Sequence, residues 1–214
     1  WSPRLYQPLR EAKKPSLLGT GNHCAKLGKT SRQFADFLTF AALDPSDTFT
    51  IPQLTTAIRG RPDDGLRESA QALLRALEGA GEQREDYWKN RALPFWEKIW
   101  PKSNHQVEST EPGALARLCI AAGDQFPSAM AAVGNWLRVV PHPDYVIHQL
   151  QESGLSARFP ERALQLLFII LNDQPSLLPQ ELRLCLDAIG QREPELQHDA
   201  RFIRVNDIAR KAGI

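Results

Sequence analysis

One stretch of the sequence joins aromatic rings to fixed cations. Tyr87-Trp88-Lys89-Asn90-Arg91 and Pro94-Phe95-Trp96-Glu97-Lys98-Ile99-Trp100-Pro101 place three of the five tryptophans within thirteen residues, beside Lys89, Arg91, Lys98 and Lys102. Aromatic rings with arginine are the side chains that dominate protein contact hot spots, and the same pairing builds stacking platforms for nucleic-acid bases. Buried, the same rings would be a hydrophobic hinge between helices. Read as a surface, the stretch nominates Trp88, Arg91, Trp96, Trp100 and Lys102 as contacts to a partner.

Elsewhere the chemistry-bearing types do not assemble into a linear motif. Gly19-Thr20-Gly21 and Leu27-Gly28-Lys29-Thr30 invite comparison with the phosphate loop, but its first glycine would have to stand at His23, and no buried strand precedes the segment. His198-Asp199, with His148 upstream and Asp207 downstream, has the residue types of an all-α metal phosphohydrolase. Asp207 follows too closely for that, and His198-Asp199 reads better as the polar lead-in to a last helix. Neither G-x-S-x-G nor H-E-x-x-H occurs. The carboxylates Glu82, Glu85 and Asp86, and Glu193 with Glu195, stand where helices begin, as the helix dipole favours. Cys24, Cys119 and Cys185 are odd in number and far apart, and the last two lie inside apolar helical patterns, so they read as reduced core thiols. No catalytic residue, metal ligand or cofactor is nominated.

The elements that must position these residues are helical. In 214 residues, Leu (28) and Ala (24) outnumber Val (6) and Ile (11), which favours helix over sheet and predicts an all-α chain. The longest apolar run, Leu166 to Leu171, falls far short of the roughly 20 residues that span a bilayer, and the start at Trp1-Ser2-Pro3-Arg4 has no apolar signal region. A cytoplasmic protein, and a piece of a longer polypeptide, is the expectation.

Charge is distributed unevenly. Residues 1–33 carry seven Lys and Arg against Glu11 alone, a net +6 in a chain of net +1, with several Pro and Gly and no sustained periodicity. They read as an irregular basic arm or linker, within which Arg10, Lys13, Lys14, Lys26 and Lys29 are candidates for phosphate or acidic-partner contacts. Helical patterns follow over about 34–41, 51–58, 66–79, 83–92 and 94–100, forming an N-terminal helical subdomain (34–100), and a polar, proline-flanked break over 101–112 precedes a C-terminal subdomain (113–214).

The second half repeats. Phe126-Pro127 and Phe159-Pro160 open apolar helices thirty-three residues apart, and Pro143 to Gly154 matches Pro179 to Gly190 at an offset of 36. Each copy of the latter has Pro at a helix start and Gly at its end. Helix pairs recurring at this period predict an α-solenoid-like stack of the HEAT, armadillo or TPR kind, closed by a last helix over about 199–212.

The run Tyr87-Trp88-x-x-Arg91-x-x-Pro94-Phe95-Trp96-x-x-Ile99-Trp100-Pro101-Lys102, with Leu115-Ala116-Arg117-Leu118-Cys119, Phe126-Pro127-Ser128-Ala129, Cys185-Leu186-Asp187-Ala188-Ile189 and Asp199-Ala200-Arg201-Phe202-x-Arg204, resembles the C-terminal helical region of large, poorly characterised bacterial multidomain proteins. Some of these look like antiphage defence components, in which an effector or NTPase region precedes a helical sensor or scaffold. The resemblance covers about residues 85–214 and implies that any enzymatic part lies elsewhere in the parent chain. The expected function is therefore a non-catalytic, helical-repeat protein-interaction module that binds a protein partner or another domain of its own polypeptide, with no membrane role. Two alternatives stand beside it: a nucleic-acid-binding helical domain using the basic arm, and an all-α hydrolase whose site is assembled from His142, His148 and scattered acids.

Overall fold

The computed structural model describes residues 64–99, 112–171 and 178–214, and among these every regular element is a helix. The basic arm, including Arg10, Lys13, Lys14, Lys26 and Lys29, lies outside the described residues, as do the expected helices over 34–41 and 51–58.

The first described helix, α1 (Asp64–Gly79), buries Ala70, Leu73, Leu74 and Leu77, the stripe that a 3.6-residue period places on one face. Ala80 and a 3-10 turn (Gly81–Gln83) lead into α2 (Arg84–Tyr87), a π-helical turn (Trp88–Ala92) and α3 (Leu93–Ile99). The expected helix end near Ala92, with a new helix opening around Pro94, is corrected: the chain stays helical through Leu93 and widens there instead of breaking. Pro94 lacks an N–H and its ring crowds the carbonyl four residues back, that of Asn90, so the turn around Asn90 opens until the Leu93 N–H reaches the Trp88 carbonyl, five residues behind.

Beyond residues 100–111 come α4 (Pro112–Ala121), a 3-10 turn (Gly123–Gln125), α5 (Phe126–Val133), a second 3-10 turn (Gly134–Trp136), α6 (Asp144–Glu152), the short α7 (Leu155–Arg158), α8 (Pro160–Ile170), α9 (Glu181–Arg192), a 3-10 segment (Pro194–His198) and α10 (Ala200–Lys211). Pro127 and Pro160 occupy first-turn positions, and Asp199 caps α10 by accepting from the Arg201 N–H, as the His198-Asp199 pattern predicts.

Packing arranges these helices in two rows. In the first row α1 packs on α4, α4 on α6 and α6 on α9; in the second α3 packs on α5, α5 on α8 and α8 on α10. Buried side chains from Ala70 to Ala209, contributed from both sides of residues 100–111, form one hydrophobic cluster. Ala80-Gly81-Glu82-Gln83 and Ala122-Gly123-Asp124-Gln125, 42 residues apart, make the same exit from a first-row helix, α1 into α2 and α4 into α5. Both glycines have positive φ (56° and 61°), and in both turns the glutamine N–H donates to the alanine carbonyl. This similarity was not among the sequence expectations, because only a four-residue turn and scattered helix positions carry it.

The two Pro-to-Gly segments differ at their ends. Gly154 terminates α6 at φ +66°, a left-handed conformation in which Cβ costs energy. Gly190 instead lies buried inside α9, which continues to Arg192. Its hydrogen side chain admits the Gln197 side chain of the following 3-10 segment. The expected stop at Gly190 is thus corrected: a glycine chosen for close approach looks in sequence like one chosen for a turn.

Candidate functional site

Two tryptophans of the aromatic cluster are core. Trp88 retains 1% of its surface and Trp96 3%, and both hold on to α5: the Trp88 indole N–H donates to Ser128 Oγ at 3.2 Å and that of Trp96 to the Ala132 carbonyl at 3.1 Å. Trp96 also meets Trp136 edge to face, with centroids 5.8 Å apart. Eight residues of α-helix advance about 80° beyond two full turns, and the π-helical turn takes up that excess, so both indoles reach the same helix. Trp88 and Trp96 are therefore not contact residues: burying two large rings with satisfied N–H groups outweighs exposing them. Arg91 is half-buried on the π-helical turn, while Trp100 and Lys102 lie outside the described residues.

The exposed face with the most built-up side-chain geometry belongs to the first row. The α6 positions Tyr145, His148, Gln149 and Glu152 form one outward stripe at helical spacing, opposite the buried Val146, Ile147 and Leu150. Arg117 of α4 sits at the edge of this stripe. Its Nη2 donates to Glu78 Oε1 of α1 at 2.6 Å and its Nε to Gln149 Oε1 at 3.1 Å, while its guanidinium lies 4.7 Å from the centroid of the Tyr145 ring. Gln149 Nε2 completes the network, 3.4 Å from both Glu78 Oε1 and Tyr145 Oη. Three helices thus orient one tyrosine that remains 53% exposed.

Across the stripe, His148 bridges to α9. Its Nδ1 is 3.2 Å from Glu181 Oε1 and its Nε2 3.3 Å from Glu152 Oε1. The Glu181 carboxyl is held below the usual carboxylate range, first by a backbone N–H at the start of its own helix and then by the His148 ring.

A groove of about 300 Å3 runs between α9 and α10, lined among others by Arg183, Asp187, Gln191, Gln197, Phe202 and Asn206. Arg183 spans it, donating to Asn206 Oδ1 at 2.8 Å and approaching Asp187 Oδ1 at 3.5 Å. Gln197 donates to the Gly190 carbonyl, and no serine, threonine, cysteine, lysine or histidine lines the groove. Among the described residues no group of three His, Cys, Asp or Glu side chains could hold a metal ion. Cys119 and Cys185 are free and buried; burial raises both thiols, that of Cys185 to about 11 against the partial counter-effect of the Ser156 hydroxyl, so neither is a thiolate at neutral pH. The arrangement suits recognition by preformed side chains.

Tyr145 and Arg117 were missed as site residues because their partners are remote: Glu78, Arg117 and Gln149 are separated by more than thirty residues at each step. The polar stripe Tyr145-x-x-His148-Gln149-x-x-Glu152 was the available signal.

No protein-family model and no solved structure matches the chain. A stretch of 134 residues, 62% of the chain, is 23% identical to the uncharacterized protein y4cA of Sinorhizobium fredii (strain NBRC 101917 / NGR234). The match spans 11% of that protein's length. Among the described residues, no helix is long and apolar enough to cross a membrane.

Proposed function

We propose that the chain is a non-catalytic α-solenoid module, cytoplasmic and part of a larger bacterial polypeptide, which binds another protein or another domain of that polypeptide through the face centred on Tyr145 and Arg117. The observation that carries this reading is the packing of successive helices into two rows, α1-α4-α6-α9 and α3-α5-α8-α10. Such a stack presents one row as an extended surface, as solenoids do. The matching Ala-Gly-acid-Gln turns, and the recurrence of part of the chain within one tenth of a much longer bacterial protein, support it further. The choice of face rests on residue type and order: tyrosine and arginine dominate contact hot spots, and a ring already held by cation-π and hydrogen-bond contacts loses little freedom on binding.

A photo-crosslinking residue at position 145, compared with one at Ile203 on α10, tests the proposal in cells. The expected result is a discrete protein adduct at 145 and none at 203. With that partner purified, Tyr145→Ala and Arg117→Ala should each weaken binding about tenfold without loss of helical circular dichroism. Equal labelling at both positions would overturn the chosen face. Binding to a duplex oligonucleotide that weakens steeply with added salt would favour the basic-arm reading instead.

A further inference from the structure

His148 stands between two carboxylates on different helices, Glu181 across the α6–α9 contact and Glu152 one turn along α6, with one ring nitrogen directed at each. Ionised carboxylates only accept hydrogen bonds, and a neutral imidazole carries a single N–H. A neutral ring can therefore serve one carboxylate while turning a lone pair toward the other, whereas an imidazolium donates to both. We propose that His148 is a proton-operated clasp that tightens the contact between α6 and α9 on acidification.

Of the other charged side chains on the elements packed against α6, Arg192 is exposed at the far end of α9, and three arginines have partners of their own. Arg117 of α4 binds Glu78 and Gln149, Arg158 of α7 pairs with Asp124, and Arg183 of α9 engages Asp187 and Asn206. On α6 itself Asp144 is exposed at the first turn. Among the described residues the two ring nitrogens of His148 thus meet Glu152 and Glu181. The clasp needs a protonated ring facing ionised carboxylates, so acidification that charges the ring while the carboxylates stay ionised closes it. Because α6 and α9 are neighbours in the first row, the proton acts on the rigidity of the row that carries Tyr145.

Amide hydrogen exchange of the whole chain, read along α9 at pH 7.5 and pH 5.5 and corrected for intrinsic rates, tests this. Wild-type protection in the first turns of α9 should rise about two- to threefold on acidification, the scale of an exposed ion pair. Glu181→Gln and His148→Gln should remove the rise and leave protection at the lower level. In Glu152→Gln the neutral ring is free to donate to Glu181, so protection should be at the higher level at both pH values. The same pH response in all four chains, or a full rise retained in Glu152→Gln, would overturn the clasp.

Discussion

The Gln197 carboxamide lies across Gly190: its Nε2 donates to the Gly190 carbonyl at 3.1 Å, and a Cβ at residue 190 would stand 2.8 Å from that same nitrogen. Gln197 is a flexible, exposed side chain, so Gly190→Ala would displace it and lose one hydrogen bond of about 1 kcal/mol. The substitution also gains about 1 kcal/mol of helix propensity, leaving the net change within about 0.5 kcal/mol. Gly154→Ala has no such compensation. At φ +66° a Cβ costs roughly 1–2 kcal/mol. Urea denaturation of the two variants should separate them, and equal losses would contradict the different roles assigned to the two glycines.

Trp96→Ala deletes a buried ring, its hydrogen bond to Ala132 and its edge-to-face contact with Trp136. The expected loss is about 3–5 kcal/mol, read from the denaturation midpoint. Trp88→Phe keeps most of the apolar bulk and leaves Ser128 without its indole donor, at about 1 kcal/mol. A Trp96→Ala chain with wild-type stability would return the tryptophans to the surface.

The helical class was legible because Leu and Ala dominate and because Leu73, Leu74 and Leu77, or Ala163, Leu167 and Ile170, recur at the helix period. Helix ends marked by a local device were legible too, such as Asp199 before α10 and Gly154 after α6. Whether an aromatic faces core or solvent was not. Trp88 and Trp96 lie eight residues apart and would diverge on an ideal α-helix; only the widened turn ahead of Pro94 brings both to α5. Local spacing carries no term for that distortion. The Arg117–Tyr145 contact depends on the packing of α4 beside α6, information that no window of sequence contains.

Asp199 gives a pH signature. Its carboxyl is lowered to about 2, first by hydrogen bonds from the Arg201 side chain and then by the Arg201 backbone N–H. A group whose folded value lies below its unfolded value of about 3.9 contributes stability that is fully present above pH 4 and is lost as pH falls toward 2. Thermal midpoints measured from pH 5 to pH 2 should therefore fall less steeply in Asp199→Asn than in wild type. Parallel curves would mean that the pair with Arg201 contributes nothing to folding.

The link from Glu78 through Arg117 to Tyr145 joins three first-row helices and should be measurable as a coupling. Both charged side chains are about one-third exposed or less, so their 2.6 Å contact is partly screened, and a double-mutant cycle of Glu78→Gln with Arg117→Met should yield about 0.5–1 kcal/mol. Added salt should reduce that value, as expected of a surface pair. Arg117 also loses its cation-π contact in the cycle, so Tyr145→Leu, which keeps an apolar side chain beside α4 without the ring, separates the two effects. Coupling that survives in the Tyr145→Leu background belongs to the ion pair; coupling that disappears shows that the ring holds the guanidinium against Glu78. The second outcome would mean that a partner covering Tyr145 also acts on the α1–α4 contact.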